Sequence, residues 1–328
     1  MITFCQFGAG RIGAIHAANI AAHPQASLKY VVDPVAEAAQ NLADRHGAQV
    51  ATMETALADP EVNAVLIASS TDTHADFIEA AARAGKAILC EKPIDLDLER
   101  TKACLQVVEE TGTLLALGFN RRHDPNFRQI RDAMLDGKIG KTEMVQITSR
   151  DPSPPPAEYV ARSGGLFRDM MIHDLDMAQW LLGEKPVEVF ATASCLVDPA
   201  IGEAGDVDTA LVTLKTASGK LAQISNSRRA AYGYDQRVEA FGEKGMLRAE
   251  NVRPTTVELM TDDGATTDKP LYFFLERYEA AYRAELDDFV TALTDKRTPL
   301  AIGRDGLIAL ELAEAALESC KTGKAVRL

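Results

Sequence analysis

Three closely spaced glycines are the first residues in the chain that could do chemistry. Gly8, Gly10 and Gly13 stand after an apolar run and open a helix-like stretch. This is the spacing of a dinucleotide-binding loop: Gly8 permits a tight turn, Gly10 admits a pyrophosphate, and Gly13 lets the helix pack on the strand. Phosphates are favoured at a helix N-terminus by its free N–H groups and dipole. The motif alone is weak, but a strand before it and a helix after it are the context it requires.

An acidic residue ends the second predicted strand. Asp33 follows the run Leu28–Val32 and lies 20 positions after Gly13. A carboxylate there accepts hydrogen bonds from the adenosine ribose hydroxyls and repels a 2′-phosphate, so NAD is predicted as cofactor rather than NADP. The alternative is a solvated turn residue in front of Pro34.

Two polar segments follow the next predicted strands. Ser69–His74 comes after the fourth strand, and Glu91-Lys92-Pro93 comes after the fifth. A dinucleotide lies across the carboxyl ends of such strands. A helix-capping role stays open for the hydroxyl of Thr71 or Thr73. The predicted cofactor contacts are Gly8, Gly10, Arg11, Ile12, Gly13, Asp33, Ser70, Thr71, His74, Glu91 and Lys92.

The elements that must position these residues change in character along the chain. Up to Gly118, short apolar strands alternate with helical stretches, which indicates a parallel sheet covered on both faces. After it come longer alternating strands joined by turns, among them a predicted strand at Thr256–Met260. The predicted fold is α/β. A Rossmann NAD-binding domain (1–119) precedes an α+β domain for substrate binding and oligomerisation (120–328), which has a large open, mostly antiparallel sheet.

Composition excludes several classes of partner. The chain has 328 residues and a formal net charge of −13, which argues against binding a nucleic-acid backbone. No apolar run approaches the ~20 residues of a membrane span. The N-terminus enters strand-like sequence without a signal-peptide pattern. Its five cysteines are widely spaced and form no C-x-x-C pair, so neither disulfides nor a zinc site is predicted. A cytoplasmic location is expected.

Three motifs together add a family resemblance. The glycine fingerprint, Glu91-Lys92-Pro93 and the run Gly164–Asp174 together resemble the glucose-fructose oxidoreductase/inositol dehydrogenase family along the whole chain. Within it, Gly118–Arg122 and Asn226–Arg237 are similar to bacterial inositol 2-dehydrogenases. The resemblance implies NAD⁺-dependent oxidation of myo-inositol to 2-keto-myo-inositol (scyllo-inosose) in inositol catabolism. It also implies a homotetramer that associates through the open sheets.

The chemistry of alcohol oxidation gives roles to three residues. A base must take the hydroxyl proton while the cofactor accepts hydride from the same carbon. His173 is the predicted base, because a neutral imidazole titrates near the working pH. Asp169, four residues earlier, would share a helix face with it and orient the ring, as in the family's Asp–His pair. Lys92 would stabilise developing alkoxide charge. The structural alternatives are a packed or capping histidine and a surface lysine paired with Glu91.

A polyol substrate needs several hydrogen-bonding side chains around it. The predicted substrate contacts are Lys92, Asn120, Arg121, Asp169, His173, Tyr234, Asp235 and Tyr282. For the arginine an ion pair, and for the tyrosines a buried ring, are open alternatives. Asn120 bears on specificity only through the resemblance. Carboxylates and imidazole can also bind a divalent ion, and the candidate ligands are Asp169, His173, Asp174 and Asp176. No metal is expected, because Asp174 would face another side of the helix.

Two rival functions stay open. One is the same chemistry on scyllo-inositol or a glucose-type sugar. The other is a non-catalytic NAD-binding regulator, which the fold alone permits. The joint presence of Lys92, Asp169 and His173 argues against a regulator, because a sensor needs no proton-transfer groups.

Overall fold

The computed structural model describes the backbone of residues 1–328 and all side chains except those of Ala157 and Ala161. Contacts along the chain divide it into two compact units. The first unit comprises Met1–His123 and Ala281–Ile308, and the second comprises Asp124–Ala280 and Ala309–Leu328.

A six-stranded parallel sheet forms the centre of the first unit. Its strands are β1 (Ile2–Phe7), β2 (Ala26–Val32), β3 (Gln49–Val50), β4 (Ala64–Ile67), β5 (Ala87–Cys90) and β6 (Leu115–Leu117). The order β3-β2-β1-β4-β5-β6 is that of a doubly wound dinucleotide-binding fold, in which the winding direction reverses beside β1. The predicted Rossmann architecture is confirmed.

Five helices connect these strands. They are α1 (Arg11–Ala22), α2 (Ala36–His46), α3 (Met53–Ala58), α4 (His74–Arg83) and α5 (Leu98–Thr111). Gly112 ends α5 with φ of 64°, where an L side chain would be strained. β4 and β5 are buried along their whole length, as expected for strands covered on both faces.

The second unit is built on a seven-stranded sheet ordered β12-β11-β7-β10-β9-β8-β15. Its strands are β7 (Thr142–Arg150), β8 (Pro186–Ser194), β9 (Thr209–Thr216), β10 (Leu221–Ser227), β11 (Asp235–Gly242), β12 (Gly245–Ala249) and β15 (Val326–Arg327). The last strand is numbered β15 because β13 and β14, described below, precede it in the chain. Apart from the parallel pairing of β7 with β10, its described strands pair antiparallel. The predicted, mostly antiparallel sheet is confirmed.

A separate hairpin corrects one predicted strand. β13 (Glu258–Thr261) pairs only with β14 (Gly264–Thr267) among the described strands, so the placement of Thr256–Met260 in the large sheet is wrong. The reason is that both hairpin strands are exposed on every residue and therefore have no apolar face to bury.

The second unit also contains α-helices, wholly or in part. They are α6 (Pro125–Leu135), α7 (Ala157–Ser163), α8 (Ile172–Leu182), α9 (Pro199–Glu203), α10 (Phe274–Arg277), and the two longer helices α11 (Glu279–Asp295) and α12 (Gly303–Thr322), of which only parts belong to this unit. α8 packs against β7 and β10 and buries ten of its eleven residues. Among the described helices, none has the length and apolar character needed to cross a membrane.

Most of α11 belongs to the first unit. The division predicted from sequence, between residues 119 and 120, assigns all of this helix to the second domain. Leu286, Phe289 and Val290 pack into the apolar core that also contains Phe4 of β1. The ring centroids of Phe4 and Phe289 are 5.8 Å apart. Burial of this apolar face stabilises the return of the chain to a core formed about 280 residues earlier in sequence.

Candidate active site

The glycine loop between β1 and α1 has the shape that a diphosphate requires. A Cβ built on Gly8 would lie 2.3 Å from the carbonyl oxygen of Ala68, and one on Gly13 would lie 2.3 Å from that of Gly8. Both positions therefore admit only glycine, because backbone segments approach closely there. A Cβ on Gly10 would meet nothing within 4 Å, which leaves its side of the loop open toward the start of α1.

Gln6, which was not among the predicted site residues, fixes this loop. Its Nε2 donates to the carbonyl oxygens of Gly8 and Gly13, both at 2.8 Å. The signal was a polar residue between the apolar Cys5 and Phe7 of the strand. Arg11 is exposed and Ile12 is half-buried at the beginning of α1, where both were predicted to contact the cofactor.

Asp33 lies beside the same loop. Its Oδ2 accepts a 2.7 Å hydrogen bond from the Ala9 N–H, and its Oδ1 accepts a 2.8 Å bond from the Val35 N–H. The carboxylate is half-buried. Each oxygen keeps a second lone pair, so the group can hold the loop and still accept from a ribose hydroxyl. The loop and Asp33 together fit NAD.

The segment after β4 is stabilised by its own hydroxyl groups. Thr73 Oγ1 lies 2.7 Å from Ser69 Oγ and donates to the carbonyl oxygen of Ser70 at 2.7 Å. Ser70 is exposed and Thr71 is half-buried in the 3₁₀ turn Thr71–Thr73. Both predicted contacts therefore remain accessible to a ligand.

His74, a predicted cofactor contact, has its ring between two loop segments. Its ring is buried, with Nδ1 2.7 Å from the carbonyl oxygen of Pro93 and Nε2 3.2 Å from that of Ser69. The imidazole thus connects the segment after β4 with the segment after β5.

Glu91 and Lys92 follow β5 at the carboxyl end of the sheet. The Glu91 N–H donates to the carbonyl oxygen of Ile67, which places this turn beside the end of β4. The Glu91 carboxylate bonds to His16 Nε2 of α1 at 2.8 Å. Lys92 is half-buried, and its peptide bond to Pro93 is cis.

Three predicted substrate contacts are buried in the first unit. Asn120 and Arg121 lie in the 3₁₀ turn Asn120–His123, shortly after β6. Tyr282 of α11 is buried, with its ring edge-on to that of His16 at a centroid distance of 5.6 Å.

In the second unit, Asp169 lies in a π-helical turn, Leu166–Met170, that precedes α8. The turn begins after two glycines in the left-handed region, Gly164 and Gly165. The expectation that Asp169 and His173 share a face of one regular α-helix is therefore corrected, because the π turn changes the spacing between them. Their pairing stays a prediction.

Asp169 is contacted by two residues that were not among the predicted site residues. The Tyr159 hydroxyl donates to Oδ1 at 3.0 Å, and Arg228 Nη2 lies 3.6 Å from Oδ2. Arg228 is only 2% exposed and is also 3.8 Å from a carboxylate oxygen of Asp151. A buried guanidinium thus places positive charge beside Asp169. The available signal was its place in the run Asn226–Arg237.

His173 lies in the first turn of α8. It is the one residue of that helix that is not fully buried. Its neighbour Asp174 points into the protein, where its carboxylate accepts a 2.9 Å bond from Asn226 Nδ2. Asp176 is likewise buried and accepts from Gln179 at 3.3 Å. Burial therefore separates His173 from the two aspartates that follow it.

Tyr234 and Asp235 are occupied within the second unit. The Tyr234 ring packs edge-on against that of Tyr278 at 6.0 Å. Asp235 is fully buried and accepts from Arg237 (2.7 Å), Tyr232 (2.5 Å) and Asn251 (2.7 Å). Burial alone would raise the pKa of Asp235, but these bonds outweigh it and leave the pKa lowered. For Asp235 the geometry favours the structural role.

Comparison with known proteins covers both units. Residues 2–119 match the family described as "Oxidoreductase family, NAD-binding Rossmann fold", and residues 127–248 match the "GFO/IDH/MocA C-terminal domain". The chain is 54% identical to the inositol 2-dehydrogenase of Rhizobium meliloti (strain 1021), over 97% of this chain and 96% of that protein.

Two other similar proteins differ in the inositol isomer of their names. The myo-inositol 2-dehydrogenase of Thermotoga maritima is 45% identical over 98% of this chain and 97% of its own. The crystal structure of scyllo-inositol dehydrogenase from Lactobacillus casei, with bound NAD(H) and scyllo-inositol, superposes with a TM-score of 0.92 at 31% identity. It covers 100% of this chain and 99% of that one.

Proposed function

The chain belongs to the GFO/IDH/MocA oxidoreductase family, and from this premise we propose that it is an NAD⁺-dependent inositol 2-dehydrogenase. It oxidises a ring hydroxyl of myo-inositol to 2-keto-myo-inositol (scyllo-inosose) in inositol catabolism. The observation that carries the proposal is the 54% identity to an inositol 2-dehydrogenase, because it extends through both units.

Residues 1–119 are proposed as the NAD-binding domain. Bound NAD⁺ supplies the hydride acceptor. The open side of Gly10 and the N-terminus of α1 hold the diphosphate, and Asp33 accepts from the adenosine ribose. Ser70 and Thr71 are proposed as further contacts at the neighbouring strand end.

Residues 120–328 are proposed as the domain for substrate binding and oligomerisation, and they supply the base. His173 takes the hydroxyl proton, and its partial exposure in an otherwise buried helix suits a group that must meet a ligand. Asp169 orients the imidazole and stabilises its charged form. Tyr159 and Arg228 hold the Asp169 carboxylate in place.

Lys92 is proposed to act on the reacting oxygen. Its ammonium stabilises the negative charge that develops on the alcohol oxygen as the proton leaves. The other proposed substrate contacts are Asn120, Arg121, Tyr234 and Tyr282. Asp235 is proposed to support the site through Tyr232 and Arg237, since its own oxygens already accept four hydrogen bonds from protein donors, of which Arg237 supplies two.

A second candidate is oxidation of scyllo-inositol. It is favoured by full-length similarity to the Lactobacillus casei enzyme, although at 31% identity. The experiment that tests both is the initial rate of NADH formation with myo-inositol, scyllo-inositol and glucose. We expect the highest kcat/KM with myo-inositol. A higher kcat/KM with scyllo-inositol or glucose would identify that compound as the substrate instead of myo-inositol. NAD⁺ binding without turnover of any of the three compounds would indicate a regulator.

A homotetramer is proposed from one face of the second sheet. Leu221, Met144, Phe241 and Met246 stand side by side on β10, β7, β11 and β12. Phe241 is 42% exposed and Met246 is 46% exposed. An apolar row across four strands is costly in water, and a second copy of the same face would cover it. Two such dimers give the tetramer.

The cytoplasm is proposed as its location. All five cysteines are free in the described structure, as is usual where thiols are kept reduced.

A further inference from the structure

Three titratable side chains meet inside the first unit. His16 of α1, Glu91 after β5 and Glu285 of α11 place one nitrogen or oxygen atom each within 4.8 Å of one another. His16 and Glu285 are each 2% exposed. Neither has a part in the reaction proposed above, yet burying such groups is costly and calls for a reason.

Glu285 has no donor to support a negative charge. Neither of its carboxyl oxygens has a hydrogen-bond partner among the described residues. His16 and Glu91 lie beside it, and the charge of Asp288, on its own helix, also acts on it. Burial, followed by the charges of Glu91 and Asp288, raises the pKa of Glu285 well above its ordinary value. A buried carboxyl beside another carboxylate is more stable as the neutral acid.

Glu91 is the member of the cluster that leads to Lys92. Its carboxylate is held by His16 at 2.8 Å, and its N–H is bound to Ile67. A Cβ on Gly118 would lie 2.8 Å from Glu91 Oε2, so that side leaves little room for movement. Beyond Lys92, the carbonyl oxygen of Pro93 is bound by His74. The turn that carries Lys92 is therefore fixed on both sides.

We propose that His16 is a positioning residue for Lys92: its hydrogen bond confines the Glu91 carboxylate, and so the backbone turn that aims the lysine, beside the uncharged acid Glu285. This inference rests on the proposed function of Lys92 in alcohol oxidation. The tyrosine ring of Tyr282 closes the cluster against His16.

A bound divalent cation is the competing explanation. One imidazole and two carboxylates are ligands that such ions accept. The two explanations differ in the charge of Glu285, because a metal ligand is ionised whereas the proposed acid is neutral. Glu285→Gln separates them, since glutamine reproduces the shape of the neutral acid.

The first experiment measures kcat, the KM for NAD⁺ and melting temperature for variants in the full-length protein. His16→Leu should lower kcat roughly 10- to 100-fold, the cost of misplacing a catalytic group by about 1 Å. The KM for NAD⁺ should stay within about twofold, because the glycine loop is untouched. His16→Gln, which keeps a donor for Glu91, should recover most of kcat. Equal losses in both variants, or a loss confined to the KM for NAD⁺, would overturn the positioning role.

A double-variant cycle tests whether His16 acts through Lys92. The variant His16→Leu/Lys92→Ala should be no slower than Lys92→Ala alone, because the positioned group is already gone. If the losses of kcat in the two single variants multiply in the double variant, His16 contributes independently of Lys92, and the inference is refuted.

The second set of measurements does not require turnover, so it decides even where the proposed function fails. Labelling of Lys92 by an amine reagent, read by mass spectrometry against exposed Lys321, should change in His16→Leu and return in His16→Gln. The infrared band of a protonated carboxylic acid should be present in the wild type and absent in Glu285→Gln. Unchanged labelling, no such band, or a stoichiometric metal that Glu285→Gln loses would each overturn the proposal.

Discussion

Asp33→Asn removes one charge at the point where the glycine loop meets the second strand. Asp33 accepts bonds of 2.7 and 2.8 Å from the Ala9 and Val35 N–H groups. Asparagine keeps one carbonyl oxygen as acceptor and so loses one bond, at about 1 kcal/mol, whereas alanine loses both, at about 2 kcal/mol. Asparagine is therefore the variant that removes the charge with the smaller loss of hydrogen bonds to the loop.

The consequence concerns cofactor choice. The wild type should prefer NAD⁺ over NADP⁺ by at least roughly tenfold, about 1.4 kcal/mol, because the carboxylate repels the 2′-phosphate. In Asp33→Asn this preference should fall toward parity, while the KM for NAD⁺ rises. The assay is kcat/KM for both cofactors at saturating myo-inositol. Asp262→Asn, which removes the same charge from an exposed loop, is the control. An unchanged preference in Asp33→Asn would refute the reasoning.

Three further predictions concern the glycine loop, the buried Asp235 and the apolar face of the second sheet. A Cβ on Gly13 has no room, so Gly13→Ala should lower the melting temperature, whereas Gly10→Ala should fold normally and weaken NAD⁺ binding in a fluorescence titration. The lowered pKa of Asp235 means that its stabilisation is present above its ordinary pKa of about 3.9 and is lost as pH falls below it. Asp235→Asn should cost about 1–3 kcal/mol in urea unfolding at neutral pH, because hydrogen bonds to a buried carboxylate are lost while Arg237 stays in contact with water. The variant should also show less acid sensitivity; equal stability would contradict this. Phe241→Asp should shift light scattering toward smaller species, whereas Leu259→Asp on the exposed hairpin should not; equal masses for the two would remove the proposed sheet interface.

The sheets could be predicted because their signals are local. Short buried strands that alternate with helices indicate parallel order, and longer strands with alternating burial indicate a half-covered sheet. The hairpin at β13 was misplaced because strand propensity does not say what a strand packs against. The return of α11 was missed for a related reason: contact between Phe4 and Phe289 depends on tertiary packing, which leaves no mark near either residue.

The candidate site divides in the same way. The glycine loop, Asp33 and the Lys92 turn could be placed from sequence because strand ends in a doubly wound sheet converge. Partners from distant elements could not be placed. Nothing near Asp235 in sequence shows that Asn251 donates to it, and nothing near Asp169 shows that Arg228 lies beside it. His16 and Glu285 lie about 270 residues apart and become neighbours only in the fold.

The turnover number with myo-inositol, measured for the wild type and for His173→Ala side by side, tests the central claim most directly. The account predicts NADH formation by the wild type. It predicts a kcat lower by roughly 10²–10⁴ in the variant, the loss expected for a general base, with the dissociation constant for NAD⁺ nearly unchanged. His46→Ala, on α2, is the control and should turn over normally. No NADH from the wild type, or near-normal turnover by folded His173→Ala, would contradict the account.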